Sequence, residues 1–554
     1  MGTQAAGPLV LGVDSSTQST KALVVDAATG AVVARGQAPH TVTGGADGTG
    51  KESDPEGWWR ALGAALEQCG HWVRQVAAVS VAGQQHGLVA LDAAGSPVRP
   101  ALLWNDVRSA PHSVRLIEEL GGAGAWARRT GSVPGPAFTA AKWAWLRAHE
   151  PDAARATAAV RLPHDYLTER LTGQAVTDRG DVSGTGWWAS GTESYDAEVL
   201  RHLALPPEAL PRVARPGEVV GTVRPGDLPL PSGALVAGGT GDNMAAALGL
   251  GLRPGRPVLS LGTSGTVYAV ATRRPADPTG TVAGFADARG GWLPLACTLN
   301  CTLAVDRIAA LLSRDREAVE PVRTEVVLPF LDGERTPNLP HASGLVHGLR
   351  HDTTPGRLLQ AAYDGAVFAL LRALESVLAV DAPGGRPPAD GPDDPDEPEE
   401  LDEPQGAGHA AQGIGTGTAS ASDADVPRNA AGDVPVGAVY GVPEGRDVPG
   451  SAAAAQEAAA PEPLLLIGGG ARGRAWRETV RRLSGRPVVV PEARELVALG
   501  AAAQAAGLLL GEDPAAVARR WDTARGPSYE PVARDTAAWE RLAATLSAGA
   551  ALLR

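Results

Sequence analysis

A few short stretches carry side chains whose types and spacing could do chemistry on a hydroxylated or phosphorylated small molecule. Asp242 follows an apolar run and the turn Gly238-Gly239-Thr240-Gly241, then opens a second apolar run (DNMAAALGLG). A carboxylate at such a strand end could accept a proton from a substrate, its duller role being to cap a helix. Asp14 heads the run Ser15-Ser16-Thr17-Gln18-Ser19-Thr20-Lys21, and Ser260-Leu261-Gly262-Thr263-Ser264-Gly265 is similar in kind. Two hydroxyl-rich turns could grip phosphates from two sides through backbone N–H groups, although either one alone reads as a tight hairpin. Gly468-x-Gly470-x-x-Gly473 follows an apolar run and precedes a helical pattern, with Glu492 after the next strand. That spacing is what a dinucleotide site would use. Gly45-x4-Gly50-Lys51-Glu52 has the outline of a phosphate loop, but Glu52 stands where a magnesium-ligating Ser or Thr belongs and no apolar strand leads in.

Residues at strand ends need a sheet to present them. LVLGVD, SSTQST, KALVV near the N-terminus and PVLS, LGTSG, TVYAV from Pro257 share one plan, an apolar strand, a small hydroxyl-rich turn and a second apolar strand. The likeness predicts two structurally related halves. Strand-to-helix units are predicted at VAAVSVAG into GQQHG, at GALVAGG into TGDNMAAALGLG, and at LLLIGGG into ARGRAWRETVRRLSG. Such a mixture is that of an α/β protein with ligands at strand ends and between domains. Residues 381–462 interrupt the second half. They alternate Pro, Gly, Ala and acids with almost no aromatics, a composition that cannot bury enough surface to offset ordering entropy, and are predicted to form a disordered insertion.

The formal net charge of −13 is local to that insertion, which holds 17 acids against Arg386, Arg428 and Arg446, while the other 472 residues hold 45 acids and 46 bases. The remainder lacks the clustered basic face that nucleic acid requires. No run of 18 apolar residues is present to cross a membrane, and the first residues lack an export signal, so a cytoplasmic protein is expected. Cys69, Cys297 and Cys301 are too few for a disulfide framework, and Cys297 and Cys301 have no second ligand pair for a metal.

Taken together, two such turns and a strand-GGG-helix unit form the phosphate, phosphate and adenosine arrangement of actin-like and hexokinase-like ATPases, and the chain resembles the FGGY family of carbohydrate kinases. The resemblance is carried by VAGQQHG (81–87), LLWNDVR (102–108), FTAAKWAW (138–145), GGTGDNMAAALGLG (238–251), LSLGTSG (259–265), LPFLDGERTP (328–337), GLVHGL (344–349) and LIGGGARGRAW (466–476). They run in order through both halves and miss only the acidic insertion.

The resemblance implies two actin-like (ribonuclease H-like) α/β domains with a cleft between them. Residues 8–252 would bind the sugar, and 253–554, interrupted by 381–462, the nucleotide. It implies ATP and Mg2+ as cofactors and Asp242 as general base. Asp14 would hold the metal through water, with Thr17, Ser19, Lys21, Gly262, Thr263 and Ser264 on the ATP phosphates and Gly468, Gly469 and Gly470 near the adenosine. Gln85, His86, Trp104, Asp106 and Asn243 are the sugar candidates, because polyol recognition wants planar and charged hydrogen-bonding groups beside an aromatic wall. A glycerol kinase would show an Arg-Glu pair in place of Gln85-His86, so a ketopentose is expected instead, D-xylulose phosphorylated at its 5-hydroxyl. Alternatives are a kinase of the same family acting on ribulose, arabitol or gluconate, or a catalytically silent sugar- and nucleotide-binding sensor. Gln85 itself stands where relatives often carry Met, and Ser16 and Ser19 where Gly is frequent. The partners implied are a small-molecule sugar and ATP, with no nucleic acid and no membrane. A homodimer is compatible with the chain, but no repeat or heptad forces one.

Overall fold

The first apolar runs pair with one another because each can bury both of its faces. In the computed structural model, which describes residues 7–44, 48–226, 228–382 and 461–553, β1 (Leu9–Ser15) is buried from end to end. It is the central strand of a seven-stranded sheet with β2 (Ser19–Asp26), β3 (Val32–Pro39), β4 (Val76–Gly83), β5 (Val219–Thr222), β6 (Leu235–Ala237) and β7 (Thr240–Gly241). The order is β5-β6-β4-β1-β2-β3, with β7 also paired to β4. β1, β4, β6 and β7 run parallel, while β2, β3 and β5 are antiparallel to their neighbours.

A second seven-stranded sheet contains β8 (Val258–Leu261), β9 (Gly265–Tyr268), β10 (Ala283–Ala286), β11 (Trp292–Thr298), β12 (Leu464–Ile467), β13 (Val488–Val489) and β14 (Ser528–Tyr529), in the order β10-β11-β9-β8-β12-β13-β14. β8, β12 and β13 are parallel, and β9, β11 and β14 are antiparallel to their neighbours. Both sheets therefore repeat one pattern: an antiparallel hairpin, two strands added in parallel to its first strand, and an antiparallel edge. The two halves expected from the repeated turn are present, as is the actin-like α/β fold.

Helices cover the sheets: α1 (Pro55–Gln68), α2 (Thr139–His149), α3 (Pro163–Thr172), α4 (Asp242–Gly249), α5 (Thr302–Leu311), α6 (Pro355–Ala379), α7 (Arg474–Ser484) and α8 (Leu496–Leu510). Trp58, Leu62, Ala65 and Leu66 of α1 share one core with Leu11 and Val13. On the other face Val10, Leu23, Val25 and Ala78 meet Ala498, Ala502, Ala505 and Ala506 of α8. The small residues of α8 are a packing requirement, since a Cβ on Gly12 would lie 2.0 Å from the Ala498 carbonyl oxygen and one on Gly500 would lie 1.8 Å from that of Ala245. In the second half, Phe368, Leu370 and Leu374 of α6 close over Leu259, Leu261 and Val267.

Two expectations meet different outcomes. The strand predicted at VAAVSVAG forms as β4, but no helix follows it. Residues 84–87 are a turn in which His86 adopts φ 64°, outside the right-handed helical region, and Gly87 packs so closely on Pro163 that a Cβ would lie 2.5 Å from its ring. The expected disordered insertion falls, for residues 383–460, outside the described residues. On its N-terminal side Asp381 accepts hydrogen bonds from the backbone N–H groups of Thr272 and Arg273.

Candidate active site

The parallel strands of the first sheet end together, which is where ligands gather in sheets of this kind. Asp14 pairs with Ala82 across β1 and β4, and Thr240 pairs with the same Ala82 from the other side. Asp14 and the start of α4 therefore flank β4 two strand spacings apart, about 10 Å. Neither carboxylate closes the turn or caps the helix beside it. The β1–β2 turn is closed by Ser16, whose backbone N–H and Oγ–H both donate to the Ser19 carbonyl at 3.0 Å. Gly241 occupies the N-cap of α4, leaving Asp242 as its first residue.

Asp242 Oδ1 accepts from the Asn243 backbone N–H at 2.8 Å and from Asn243 Nδ2 at 3.0 Å. Burial, together with the negative charges of Asp14 and Asp181, pushes its carboxyl up to about 7. That is the range a general base needs to work near neutrality. Asp14 is 3% exposed, and its carboxyl is pushed up to about 6 by burial, against the pull of Lys21 and with the help of Glu495. Lys21 Nζ lies 3.5 Å from Asp14 Oδ2 and 2.6 Å from Glu495 Oε2. Asp14 Oδ1 is buried with no hydrogen-bond partner among the described residues. An unspent carboxylate oxygen at a strand end fits Mg2+, which keeps most of its waters and takes one or two carboxylates alongside phosphates. No group of three His, Cys, Asp or Glu among the described residues is arranged to hold a metal by itself.

The expected sugar residues divide. Gln85, His86 and Asn243 are brought together at the end of β4, where Asn243 Nδ2 donates to Gln85 Oε1 at 2.8 Å. His86 Nδ1 donates to the Gly184 carbonyl at 2.7 Å, which leaves Nε2 as an acceptor, and its ring sits 5.1 Å from that of Phe138 and 5.6 Å from that of Phe285. Burial, with the positive charges of Lys142 and Arg335, pushes the imidazole down to about 3, so it is neutral at physiological pH. Trp104 is 41% exposed, and its Nε1–H donates to Thr17 Oγ1 at 3.0 Å, joining it to the β1–β2 turn. Asp106 is already engaged, since it accepts from the Lys51 backbone N–H at 2.8 Å and pairs with Arg108, which also binds Glu52.

Lys51 and Glu52 thus belong to a strand pairing, Lys51–Ser53, and not to a phosphate loop; Gly45 lies outside the described residues.

In the second sheet the corresponding end presents the nucleotide candidates. The turn Gly262–Ser264 joins β8 to β9, and the Gly262 carbonyl accepts from the Thr302 N–H and hydroxyl at the start of α5. Ser260 pairs with Ile467, so Gly468, Gly469 and Gly470 emerge beside that turn. Gly468 has φ 84°, a Cβ on Gly470 would meet Thr302 and Leu261 within 3 Å, and a Cβ on Gly469 would meet nothing within 4 Å. The backbone is thus bare at Gly469, as a docking surface for a flat ligand requires. β12, α7 and β13 form a single βαβ unit between the hairpin strand β8 and the antiparallel edge β14, not the succession of βαβ units that a dinucleotide fold needs.

Several residues of the site lie outside the sequence reading. His164 Nδ1 donates to Asp181 Oδ2 at 2.8 Å, and both residues are completely buried. Burial pulls the His164 imidazole down, but Asp165, Asp181 and Asp178 outweigh it and hold it up at about 9. Asp178 caps the turn that carries Asp181 and accepts from the Thr240 hydroxyl at 2.7 Å. Lys142 is also fully buried, and burial pulls it to about 7, with Asp106 opposing. The lysine is visible in the sequence as one of three, whereas a pair 17 residues apart such as His164 and Asp181 leaves no local signal.

Residues 9–249 match the N-terminal domain of the FGGY family of carbohydrate kinases. The chain is 65% identical over 550 residues to a xylulose kinase of Streptomyces coelicolor, covering 99% of this chain and 98% of that protein. It is 64% identical to one of Streptomyces rubiginosus with the same coverage. The crystal structure of xylulose kinase from Bifidobacterium adolescentis superposes with a TM-score of 0.73 at 30% identity, over 97% of this chain and 99% of that one. With this geometry and these relatives, the chain belongs to the FGGY family of carbohydrate kinases.

Proposed function

We propose that this enzyme transfers the γ-phosphoryl group of ATP to the 5-hydroxyl of D-xylulose, with Asp242 as general base. The observation that carries the reading is the pair of buried carboxylates, Asp14 and Asp242, each with one oxygen free of hydrogen bonds among the described residues, on either side of β4 with the Gln85-His86 turn between them. The 65% identical Streptomyces coelicolor relative, a xylulose kinase, supports the choice of sugar.

The bond from the substrate oxygen to phosphorus forms as the bond from phosphorus to the β,γ-bridging oxygen breaks. The hydroxyl proton passes to Asp242, and ADP leaves with the bridging oxygen. Asn243 holds one carboxylate oxygen, and neutral His86 accepts from a sugar hydroxyl through Nε2. Asp14 would hold Mg2+ through water, and the metal when bound neutralises charge on the ATP phosphates. Lys21, Thr17 and Ser19 face those phosphates from one turn and Gly262, Thr263 and Ser264 from the other, with the adenosine on Gly468, Gly469 and Gly470. The sugar lobe spans residues 8–252 and the nucleotide lobe 253–554. The enzyme works in the cytoplasm on free sugar and ATP.

ADP release measured with ATP and Mg2+ across xylulose, ribulose, glycerol, arabitol and gluconate, with a sugar-free control, tests this. Release with xylulose in excess of the others is expected. Preference for another sugar would overturn the substrate, and binding of ATP without any sugar-dependent release would overturn the reaction.

A further inference from the structure

Gln85 sits where a side chain can control the base without touching it. It is 4% exposed, and its Oε1 accepts from Asn243 Nδ2 at 2.8 Å. The same Nδ2 lies 3.0 Å from Asp242 Oδ1, so one amide nitrogen spans the two residues. Gln85 is also pinned in place, since a Cβ on Gly241 would stand 2.7 Å from its Cγ and 3.0 Å from its Cδ. Only glycine at 241 lets the Gln85 stem lie against the backbone that introduces Asp242. The amide cannot be reversed without loss, because Asn243 Nδ2 can only donate and must meet an oxygen. Gln85 Nε2 is left buried with no partner among the described residues.

We propose that Gln85 is a positioning residue for phosphoryl transfer: its amide oxygen holds the Asn243 side chain, Asn243 holds Oδ1 of Asp242, and Oδ2 is left as the oxygen that takes the substrate proton. The inference rests on the kinase reading above and adds to it a role exerted through Asn243. A methionine at 85 would offer only a weakly accepting sulfur, so the relay belongs to chains with an acceptor at this position. The charged or titratable groups acting on Asp242 from neighbouring elements are Asp14 on β1, with Lys21 and Glu495 beside it, Asp181 in the turn after Asp178, and Tyr268 on β9. None of them supplies a hydrogen bond that could replace Asn243 on Oδ1.

The test compares the full-length wild type with Gln85→Met, Asn243→Ala, the double variant and Gln85→Glu, measuring kcat, KM for xylulose and for ATP, and the pH profile of kcat. Gln85→Met should lower the plateau kcat about tenfold with KM for ATP unchanged, because a misaimed base costs rate and not nucleotide binding. Its acidic limb should move to higher pH, since Oδ1 loses a donor that favours the carboxylate. The double variant should be no slower than Asn243→Ala alone, as expected when one residue acts through the other. Gln85→Glu keeps an acceptor oxygen in the same shape and should recover most of the kcat at high pH, while the shifted acidic limb of Gln85→Met is the readout that a merely spatial role would not move. A Gln85→Met enzyme with wild-type kcat and pH profile, or singles whose effects multiply in the double variant, would overturn the proposal while leaving the kinase reading intact. A wild type that releases no ADP in the presence of sugar would overturn both.

Discussion

Two carboxylates on either side of one strand stand in different surroundings, and the proposed mechanism gives them opposite tasks. Asp242 is pushed up to about 7 by burial and by Asp14 and Asp181, so it is half protonated near neutrality and competent only in its ionised form. Lowering the pH through 7 therefore protonates the proposed base, and in a profile taken from pH 5 to 8 kcat should fall about tenfold per pH unit between 7 and 6 and more steeply below 6, where Asp14 also takes up a proton. His86 cannot cause that limb, because its imidazole is already neutral down to about 3. Asp242→Asn should lower kcat by about three orders of magnitude while ATP binding, followed by calorimetry, persists. Gly469→Ala belongs to the same scale. With nothing within 4 Å of the added methyl, thermal stability should be unchanged while KM for ATP rises several-fold, and an unchanged KM would remove the adenosine from that surface. The sequence made Asp14, Asp242 and the glycines legible because each interrupts an apolar run at a turn. It left Asp181, His164 and Glu495 illegible, because their roles arise only when distant turns are folded against α4 and β1.

At the scale of elements, the likeness of two turns in the sequence became the likeness of two sheets, since a hairpin plus parallel strands is a unit that repeats whole. The strand ends were legible from apolar runs, β4 and β12 almost to the residue. What followed β4 was not, because a left-handed His86 and the approach of Pro163 are tertiary facts. α8 was equally hidden. Its run of alanines has no amphipathic stripe, and its reason is close approach on two sides. A Cβ on Gly249 would meet the Leu496 carbonyl oxygen at 2.1 Å, just as one on Gly500 would meet that of Ala245. Gly500→Ala should thus force α8 away from α4 and cost about 2 kcal/mol in urea unfolding. It should also slow the enzyme, because α4 begins at Asp242.

For the molecule as a whole, charge and architecture are separable. The acidic stretch carries the net charge, while the other 472 residues hold 45 acids against 46 bases. Replacing residues 383–460 by a short flexible linker should leave kcat and KM for xylulose within about threefold, because the entropy of closing a loop grows only slowly with its length. A larger loss would assign the insertion a part in catalysis. No single helix among the described residues is long and apolar enough to cross a membrane. The position of α8 also bears on how the chain comes into being. The face formed by Val10, Leu23, Val25 and Ala78 leaves the ribosome hundreds of residues ahead of its cover, Ala498, Ala502, Ala505 and Ala506. Gln504 seals the join from the far end of the chain, accepting from the Ser80 hydroxyl and donating to the Gly239 carbonyl. Throughout synthesis the nascent first half must carry an open apolar sheet, exposed to chaperones and to other nascent chains. A chain stopped short of α8 would lose the cover of its oldest strands, however complete its sugar-binding residues were.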